Sequence, residues 1–171
     1  EGLRYSVRFK LYAILLILAV GGVILIPFGE ELITLFLTEN DTTADTAMTL
    51  FYGREYLKVA LLALAPMALT QVYACTLRET GQTVPPMVAS VTAVCTNALC
   101  NWLLIFGIGP FPALGVVGAA WGTLIPRVGE LCIVVIWSHT HTQKVPYFKG
   151  LYRSPRIPAA LVGQIFVKSL P

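Results

Sequence analysis

Four long stretches with almost no charged residues constrain the fold of this chain more than any other feature. They cover residues 11–37, 56–77, 86–106 and 114–137. At about 1.5 Å per residue, roughly 20 helical residues cross the ~30 Å hydrocarbon core of a bilayer, so each stretch can span a membrane. A soluble core could not bury a chain of 171 residues that is 56% hydrophobic and only 12% charged. We therefore predict an all-α membrane protein with four transmembrane helices within residues 11–138.

The segments between these stretches contain residues that interrupt helices. Thr38 to Thr46 is acidic and rich in threonine, and it is predicted to be a loop. Arg78 to Thr83 forms a short polar connection, and Pro85-Pro86 suits the first turn of the third helix. Gly107 to Pro112 contains two glycines and two prolines, so it is predicted to be a hairpin connection.

Both ends of the chain are polar and basic. Residues 1–10 are predicted to be a flank, and residues 139–171 a basic linker whose last part, residues 159–170, regains helical apolar spacing as the start of a further helix. The chain starts at Glu1 rather than methionine and stops abruptly at Pro171. We interpret it as a piece of a longer polypeptide.

Lysine and arginine indicate the orientation of the predicted helices. The side that carries both chain ends has eight of these residues, whereas the opposite side has two, Arg54 and Lys58. The eight are Arg4, Arg8, Lys10, Arg78, Lys144, Lys149, Arg153 and Arg156. Because basic residues concentrate in cytoplasmic segments, both ends are predicted to be cytoplasmic and the protein to lie in the cytoplasmic (inner) membrane.

The fourth predicted helix carries two charges within its apolar run. Arg127 and Glu130 are three residues apart, and Thr123 lies one turn before Arg127. An arginine near the middle of a membrane helix costs about 2.5 to 3.5 kcal/mol on insertion scales, which pairing offsets in part. We interpret the two as an intramembrane ion pair, with a proton or cation relay as the alternative. Small residues recur on another face and predict close helix packing. They are Gly115, Gly118, Gly122, Pro126 and Gly129.

Amide side chains mark a second group of candidate residues. Asn97 and Asn101 are four residues apart on the third helix and therefore share a face, which suits a hydrated cation or the polar groups of a drug. Hydrogen bonding between helices is the alternative. Gln71 on the second helix is a similar candidate. Three aromatic residues could line a pocket for a lipophilic cation, although the last two also suit an interfacial belt. They are Tyr73, Trp102 and Phe106.

No motif of a soluble enzyme, a phosphate-binding loop or a nucleic-acid surface is present in the sequence. The four cysteines lie in apolar stretches without C-x-x-C spacing, so they are predicted to be free, buried thiols. They are Cys75, Cys95, Cys100 and Cys132. His139 and His141 would point to different faces of a helix. We therefore predict neither an enzyme nor a metal site, and no nucleic-acid partner.

Residues 77–130 contain three sequence motifs in a fixed order. They are LRETGQTVPPM at 77–87, NALCNWLLIFG at 97–107 and PALGVVGAAWGT at 112–123, followed by Arg127 and Glu130. These resemble the L-R-x-x-G-[DQN]-T-x-x-P-M, N-x-x-L-N-W-x-L-I-F-G and P-x-L-G-V-x-G-A-A-x-A-T motifs of MATE (multidrug and toxic compound extrusion) antiporters, in which R-x-x-E commonly follows.

The resemblance implies a larger helical bundle of two six-helix lobes, typical of the MOP superfamily. This chain would supply helices three to six of the first lobe and the linker. It also implies secondary active efflux of small organic cationic or amphipathic substrates by antiport with H⁺ or Na⁺ and without another cofactor. The partners would be the lipid bilayer and the second lobe of the same polypeptide.

The resemblance also assigns site residues. Some members place an asparagine and an aspartate four residues apart on the fifth helix, and a threonine on the sixth, around a cation site. By resemblance these fall on Asn97, Asn101 and Thr123. Because Asn101 is an amide, it cannot take up a proton, and the coupling carboxylate is expected elsewhere.

Two alternatives to drug efflux remain at this point. A flippase for a lipid-linked oligosaccharide would share the fold, but such cavities tend to be strongly cationic and only Arg127 is available here. A membrane enzyme or a non-transport assembly subunit is the other alternative. It is disfavoured because the sequence offers no nucleophile and base for a common cavity.

Overall fold

The computed structural model describes residues 2–35, 43–107 and 113–148. Nearly all of them belong to four α-helices, which are α1 (Gly2–Thr34), α2 (Thr43–Glu79), α3 (Val84–Phe106) and α4 (Gly115–Thr140). A 3₁₀ turn, Pro146–Phe148, follows α4. Each of the four helices in this part of the chain is long and apolar enough to cross a membrane. The predicted all-α membrane fold is therefore confirmed.

α4 lies at the centre of the helix arrangement. It packs extensively along both α3 and α2, and α1 packs against α2. Although α2 and α3 follow each other in the sequence, they make few contacts. The order across the bundle is therefore α1, α2, α4, α3. Because α4 is the main neighbour of α3, a site between α3 and the rest of this chain lies mainly against α4.

α1 begins at Gly2 rather than near Leu11, so the residues predicted to be a separate flank form its first turns. The predicted start was wrong because hydropathy detects the part of a helix that hydrocarbon surrounds, whereas backbone hydrogen bonding continues beyond it. Val7 and Arg8 in these turns are buried. The first turns thus pack against the rest of the chain, and their cytoplasmic location stays a prediction.

α2 begins at Thr43 rather than near Tyr56, so the predicted loop is wrong for residues 43–46. Residues 36–42 lie outside the described part of the chain. A helix of 37 residues is about 55 Å long, which exceeds the ~30 Å of hydrocarbon. Part of α2 must therefore lie in water or among headgroups. The exposed ion pair of Glu55 and Lys58, 2.5 Å apart, is compatible with such a polar environment.

The connection between α2 and α3 is as short as predicted. Gly81 adopts a positive φ of 80°, and the N–H of Gln82 donates a hydrogen bond to the carbonyl of Leu77 at 2.8 Å. Pro85 and Pro86 lie in the first turn of α3, where a helix does not use backbone N–H groups. α3 ends at Phe106, and Gly107, which follows it, adopts the left-handed conformation. The rest of the predicted hairpin, residues 108–112, lies outside the described residues.

The packed core lies at one end of the bundle, which we call the base. Its buried side chains come from all four helices and the segment after α4, and they are Val7, Val72, Tyr73, Leu77, Ala89, Val134, Val145 and Phe148. The rings of Tyr73 and Phe148 stack with centroids 4.9 Å apart. Lys10 and Glu79 form an ion pair of 2.6 Å at the same end. Residues 139–148, predicted to belong to the linker, thus close the base, whereas residues 149–171 lie outside the described part.

Away from the base, the helices expose large apolar side chains. None of the most apolar part of α1 is buried within the chain, and Leu16, Val23 and Ile26 are typical of its exposed residues. Such surfaces need lipid or further helices as neighbours. All four cysteines are free, as predicted, but Cys95 and Cys132 are exposed rather than buried.

Candidate functional site

A polar cavity lies between α3 and α4, away from the base. It has a volume of about 260 Å³, and the residues that line it are Ala93, Val94, Asn97, Thr123, Pro126 and Arg127. Three of these, Asn97, Thr123 and Arg127, are residues that the sequence singles out as candidates for a transport path or an ion pair. The structure therefore brings polar side chains of two separate spans to one place, which we call the α3–α4 cavity.

Asn97 connects the two helices through a carbonyl group that proline has freed. In a helix, the carbonyl of Gly122 would accept a hydrogen bond from the N–H of residue 126, but Pro126 has no N–H. The side-chain Nδ2 of Asn97 donates to this carbonyl oxygen at 2.8 Å instead. The interhelical bond thus satisfies a backbone acceptor that would otherwise be unpaired in an apolar environment.

This pairing of Asn97 with the Gly122 carbonyl was missed from the sequence, although a signal for it was present. A proline inside a helix removes the N–H that would otherwise bond to the carbonyl four residues before it. For Pro126 that carbonyl belongs to Gly122, and the facing helix offers the amides of Asn97 and Asn101 as donors. Proline position can therefore be used to look for such a bond before a structure is known.

Asn101 lies behind Asn97 and does not itself line the cavity. Its Nδ2 donates to Asn97 Oδ1 at 3.2 Å. Its own Oδ1 is buried and has no hydrogen-bond partner among the described residues. Gly122 leaves space for this amide, because a Cβ atom at residue 122 would lie 3.0 Å from Asn101 Cγ and would overlap with Oδ1. The buried oxygen is thus an unused acceptor, of a kind that costs about 1–3 kcal/mol to leave unpaired.

Arg127 and Glu130 form an ion pair beside the cavity. Arg127 Nη1 donates to Glu130 Oε2 at 2.8 Å. The arginine side chain is 39% exposed and contributes to the cavity wall, whereas that of the glutamate is 10% exposed and does not line the cavity. Thr123 donates its hydroxyl to the carbonyl of Ala119 at 3.1 Å, one turn back on the same helix. Positive charge therefore faces the cavity and negative charge lies behind it.

Gln71 is not part of this site. Its side chain is exposed and lines a different pocket of about 330 Å³ between α1 and α2, whose other walls are apolar residues such as Ile14, Leu18 and Met67. The two pockets lie on different pairs of helices, this one on α1 and α2 and the cavity on α3 and α4. The structure thus separates Gln71 from Asn97, Asn101 and Thr123.

The predicted aromatic pocket does not form from the three residues proposed for it. Tyr73 is 2% exposed and stacks on Phe148 in the base. Trp102 and Phe106 lie at the opposite end of the bundle and are more than half exposed. Their exposure suits the alternative interpretation of these two residues as part of an interfacial belt.

The small-residue face of α4 is used in part. A Cβ atom on Gly118 would lie 2.6 Å from the backbone carbonyl oxygen of Leu104 on α3, so the two helices approach closely there. Gly122 faces Asn101, as described above. Gly115 and Gly129 have nothing within contact distance in the described residues. Close packing therefore explains Gly118 and Gly122 on this face but not Gly115 and Gly129.

The described residues contain no cluster of three or more histidine, cysteine, aspartate or glutamate side chains that could hold a metal ion. The polar atoms at the cavity are instead amide, hydroxyl and guanidinium groups. Such groups bind by hydrogen bonds and charge, and they suit reversible binding of a small molecule rather than chemical conversion.

The sequence of residues 1–103 matches the model of a protein family described as MatE. The matched range covers more than half of the chain and includes the first of the three motifs and the beginning of the second. The third motif, residues 112–123, lies beyond it. No solved structure matches the chain significantly.

Several curated proteins are similar to part of the chain. A probable multidrug resistance protein NorM of Thermotoga maritima is 30% identical over 129 residues, 74% of this chain and 26% of that protein. The multidrug export protein MepA of Staphylococcus haemolyticus is 29% identical over 136 residues, 79% of this chain and 28% of that protein. The FAD transporter of Shewanella oneidensis is 50% identical over 48 residues, 28% of this chain and 11% of that protein. The matched part of the chain therefore spans between 11% and 28% of the length of these relatives.

Proposed function

This chain belongs to the MatE family, and from that membership we propose that the whole protein exports small molecules by secondary active antiport. The α3–α4 cavity would form part of its transport path. The observation that carries the proposal is that Asn97, Thr123 and Arg127, from two candidate spans, line one cavity. Polar and charged groups are costly inside a membrane, and those that face a cavity commonly mark a path for substrates or ions.

Two kinds of cargo are consistent with the relatives. Those from Thermotoga and Staphylococcus are named for multidrug resistance or export, which supports small organic cationic or amphipathic substrates for this protein. The relative from Shewanella is named as a transporter of FAD, a molecule whose phosphates are anionic. The second kind of cargo is favoured by Arg127, whose guanidinium faces the cavity.

We propose that the base faces the cytoplasm of a cell whose inner membrane contains the protein. The basic residues at the base are Arg4, Arg8, Lys10, Arg78 and Lys144. At the other end, Arg54 and Lys58 lie beside the acidic Glu55. The positive-inside rule supports this orientation. A cysteine introduced at Gln82 should react with a membrane-impermeant reagent only after cells are opened, and labelling of intact cells would reverse the orientation.

The proposed coupling ion is H⁺ or Na⁺. Asn97 and Asn101 cannot take up a proton, and Glu130 is the nearest carboxylate to the cavity among the described residues. The buried Oδ1 of Asn101 is an oxygen that could contribute to binding a cation. Export from vesicles under an imposed pH gradient or an imposed Na⁺ gradient would distinguish the two, and export that follows neither gradient would exclude antiport with either ion.

The role of the cavity in transport can be tested by replacing Asn97 with leucine in the full-length protein. We expect Asn97→Leu to lower export of the amphipathic dye rhodamine B from cells at least tenfold at unchanged membrane levels, because the cavity loses an amide and the Gly122 carbonyl loses its donor. Thr92→Val is a matched control on α3, since the Thr92 hydroxyl is exposed and bonds only its own helix. Equal export by both variants would remove the cavity from the transport path.

A further inference from the structure

We propose that the α3–α4 cavity contains an oxyanion subsite, in which Arg127 binds a carboxylate or phosphate group of the transported molecule. This inference rests on the proposed export function and names the chemical class of its cargo. It assigns Arg127 a role in specificity, beyond the ion pair with Glu130 that the sequence already indicates.

The first argument is the position of the two charges. The guanidinium of Arg127 forms part of the cavity wall, whereas the carboxylate of Glu130 is nearly buried and lies behind it. No other ionisable side chain lines the cavity among the described residues. A ligand that enters therefore meets a positive charge first, and this disfavours a cationic group at this point while favouring an anionic one.

The second argument is the inventory of hydrogen-bonding groups. Among the described residues, the guanidinium has one partner, the contact from Nη1 to Glu130, so most of its five N–H donors remain available. Asn97 uses Nδ2 and Oδ1 in bonds to Gly122 and Asn101 and keeps one further N–H. Thr123 donates its hydroxyl to its own helix. The unused groups at the wall are thus mostly donors, and a planar array of donors matches the oxygens of a carboxylate or phosphate.

The third argument concerns the role of Glu130. An arginine without a carboxylate partner would offer all five of its N–H donors to an anion. The contact with Glu130 orients the guanidinium, and an incoming oxyanion must share it with this carboxylate. Glu130 therefore acts as a positioning residue that weakens oxyanion binding enough for release.

The oxyanion could come from the cargo or from the headgroup of an anionic lipid. The cavity is partly open, and the apolar residues Ala93 and Val94 on α3 form part of its wall. Either source presents the same chemistry to Arg127. The experiment therefore includes one arm for each source.

The test uses two fluorescent probes that differ in a single group, rhodamine B with its free carboxylate and the methyl ester of rhodamine B. Binding to the purified whole protein is followed by fluorescence polarisation in vesicles of neutral phosphatidylcholine. We expect Arg127→Gln to weaken binding of the carboxylate probe about tenfold or more and to change binding of the ester less than twofold. Arg54→Gln, which removes an arginine from α2 outside this cavity, should change neither.

Glu130→Gln provides the decisive second variant, because it should have the opposite effect. Removal of the competing carboxylate frees the guanidinium, so binding of the carboxylate probe should tighten several-fold. A purely structural role for the ion pair predicts weaker binding of both probes in both variants. That result, or equal sensitivity of the two probes to Arg127→Gln, would overturn the proposal.

The lipid arm repeats the measurement with phosphatidylglycerol added to the vesicles. If the added lipid competes with the carboxylate probe in the native protein but not in Arg127→Gln, the subsite also takes lipid headgroups. If it does not compete, the subsite is specific for the cargo. A protein that distinguishes the two probes but exports neither would support the subsite and contradict the export function, so the two proposals can fail separately.

Discussion

The base and the α3–α4 cavity share two helices, α3 and α4, but are held together by different contacts. In the base, buried aliphatic side chains surround a stacked pair of rings, Tyr73 and Phe148. At the cavity, glycines bring two helices close together, and a short chain of amide hydrogen bonds links them. The base thus provides most of the buried apolar area, while the cavity keeps polar groups accessible. The difference suggests that stability and binding can be changed separately.

The base should respond most strongly to the loss of Phe148. The side chain is 1% exposed and packs on Tyr73, so Phe148→Ala should lower the free energy of unfolding in detergent by about 3–5 kcal/mol. Phe106→Ala is the matched control, because Phe106 is largely exposed in this chain. Detergent-solubilised yield and the midpoint of SDS unfolding would measure the effect. Similar losses in the two variants would mean that the base is not the stabilising end.

At the cavity, Gly122→Ala should have a smaller effect on stability but a large one on binding. The new Cβ would overlap with the amide of Asn101, and displacing it should cost about 1–3 kcal/mol. Gly129→Ala adds the same atom to the same helix where nothing lies within contact distance in the described residues. We expect probe binding to fall in the first variant only. Normal binding by Gly122→Ala would show that the amides tolerate rearrangement.

The hydrogen bond between Asn97 and Gly122 can be isolated by changing Pro126. In Pro126→Ala, the restored N–H can bond the Gly122 carbonyl within α4, so that carbonyl no longer depends on Asn97. We therefore expect Asn97→Leu to lower the free energy of unfolding by about 0.5–1.5 kcal/mol in the native background and by clearly less in Pro126→Ala. A double-mutant cycle of unfolding free energies measures the difference. Additive effects would contradict the role assigned to Pro126.

The smallest expected effect is at the edge of the base, where Tyr147 and the Thr80 hydroxyl are hydrogen-bonded at 2.5 Å. Burial raises the pKa of the Tyr147 phenol above its ordinary value of 10.0, and the hydrogen bond with Thr80 lowers it in part. Because the folded-state pKa is the higher one, this contribution to stability is fully present below about pH 10 and is lost as the pH rises through the folded-state pKa.

The loss should be under about 1 kcal/mol and can be measured by unfolding the native protein and Tyr147→Phe in parallel at increasing pH. The variant lacks the phenol, so the difference between the two curves isolates the contribution of Tyr147. Parallel curves would mean that Tyr147 makes no contribution that depends on pH.

The sequence was a good guide to features that depend on one helix at a time. Hydrophobic stretches located the four spans, and spacing of three and four residues placed Arg127 next to Glu130 and Asn97 next to Asn101. These follow from the geometry of a single helix. The meeting of Asn97 with Thr123 was suggested only by the family resemblance, because spacing within α3 says nothing about its neighbour.

Features that depend on the order of helices could not be predicted in the same way. Gln71 lies on the α1–α2 pocket and far from the amides of α3, because α4 lies between α2 and α3. These two helices are separated in space although they follow each other in the sequence. The helix starts were missed for a different reason. Polar residues near Arg8 and Thr43 ended the hydrophobic stretches while the backbone hydrogen bonds continued.

The continuous course of α1 into the base links the protein to the thickness of its membrane. A rod of 33 residues is about 50 Å long and can adapt to a thinner or thicker bilayer by changing its tilt. Because Val7 of α1 belongs to the same buried cluster as Phe148, a change in the tilt of α1 would change the packing of the base. Lipids with shorter or longer acyl chains would therefore act as a mechanical input to this part of the molecule.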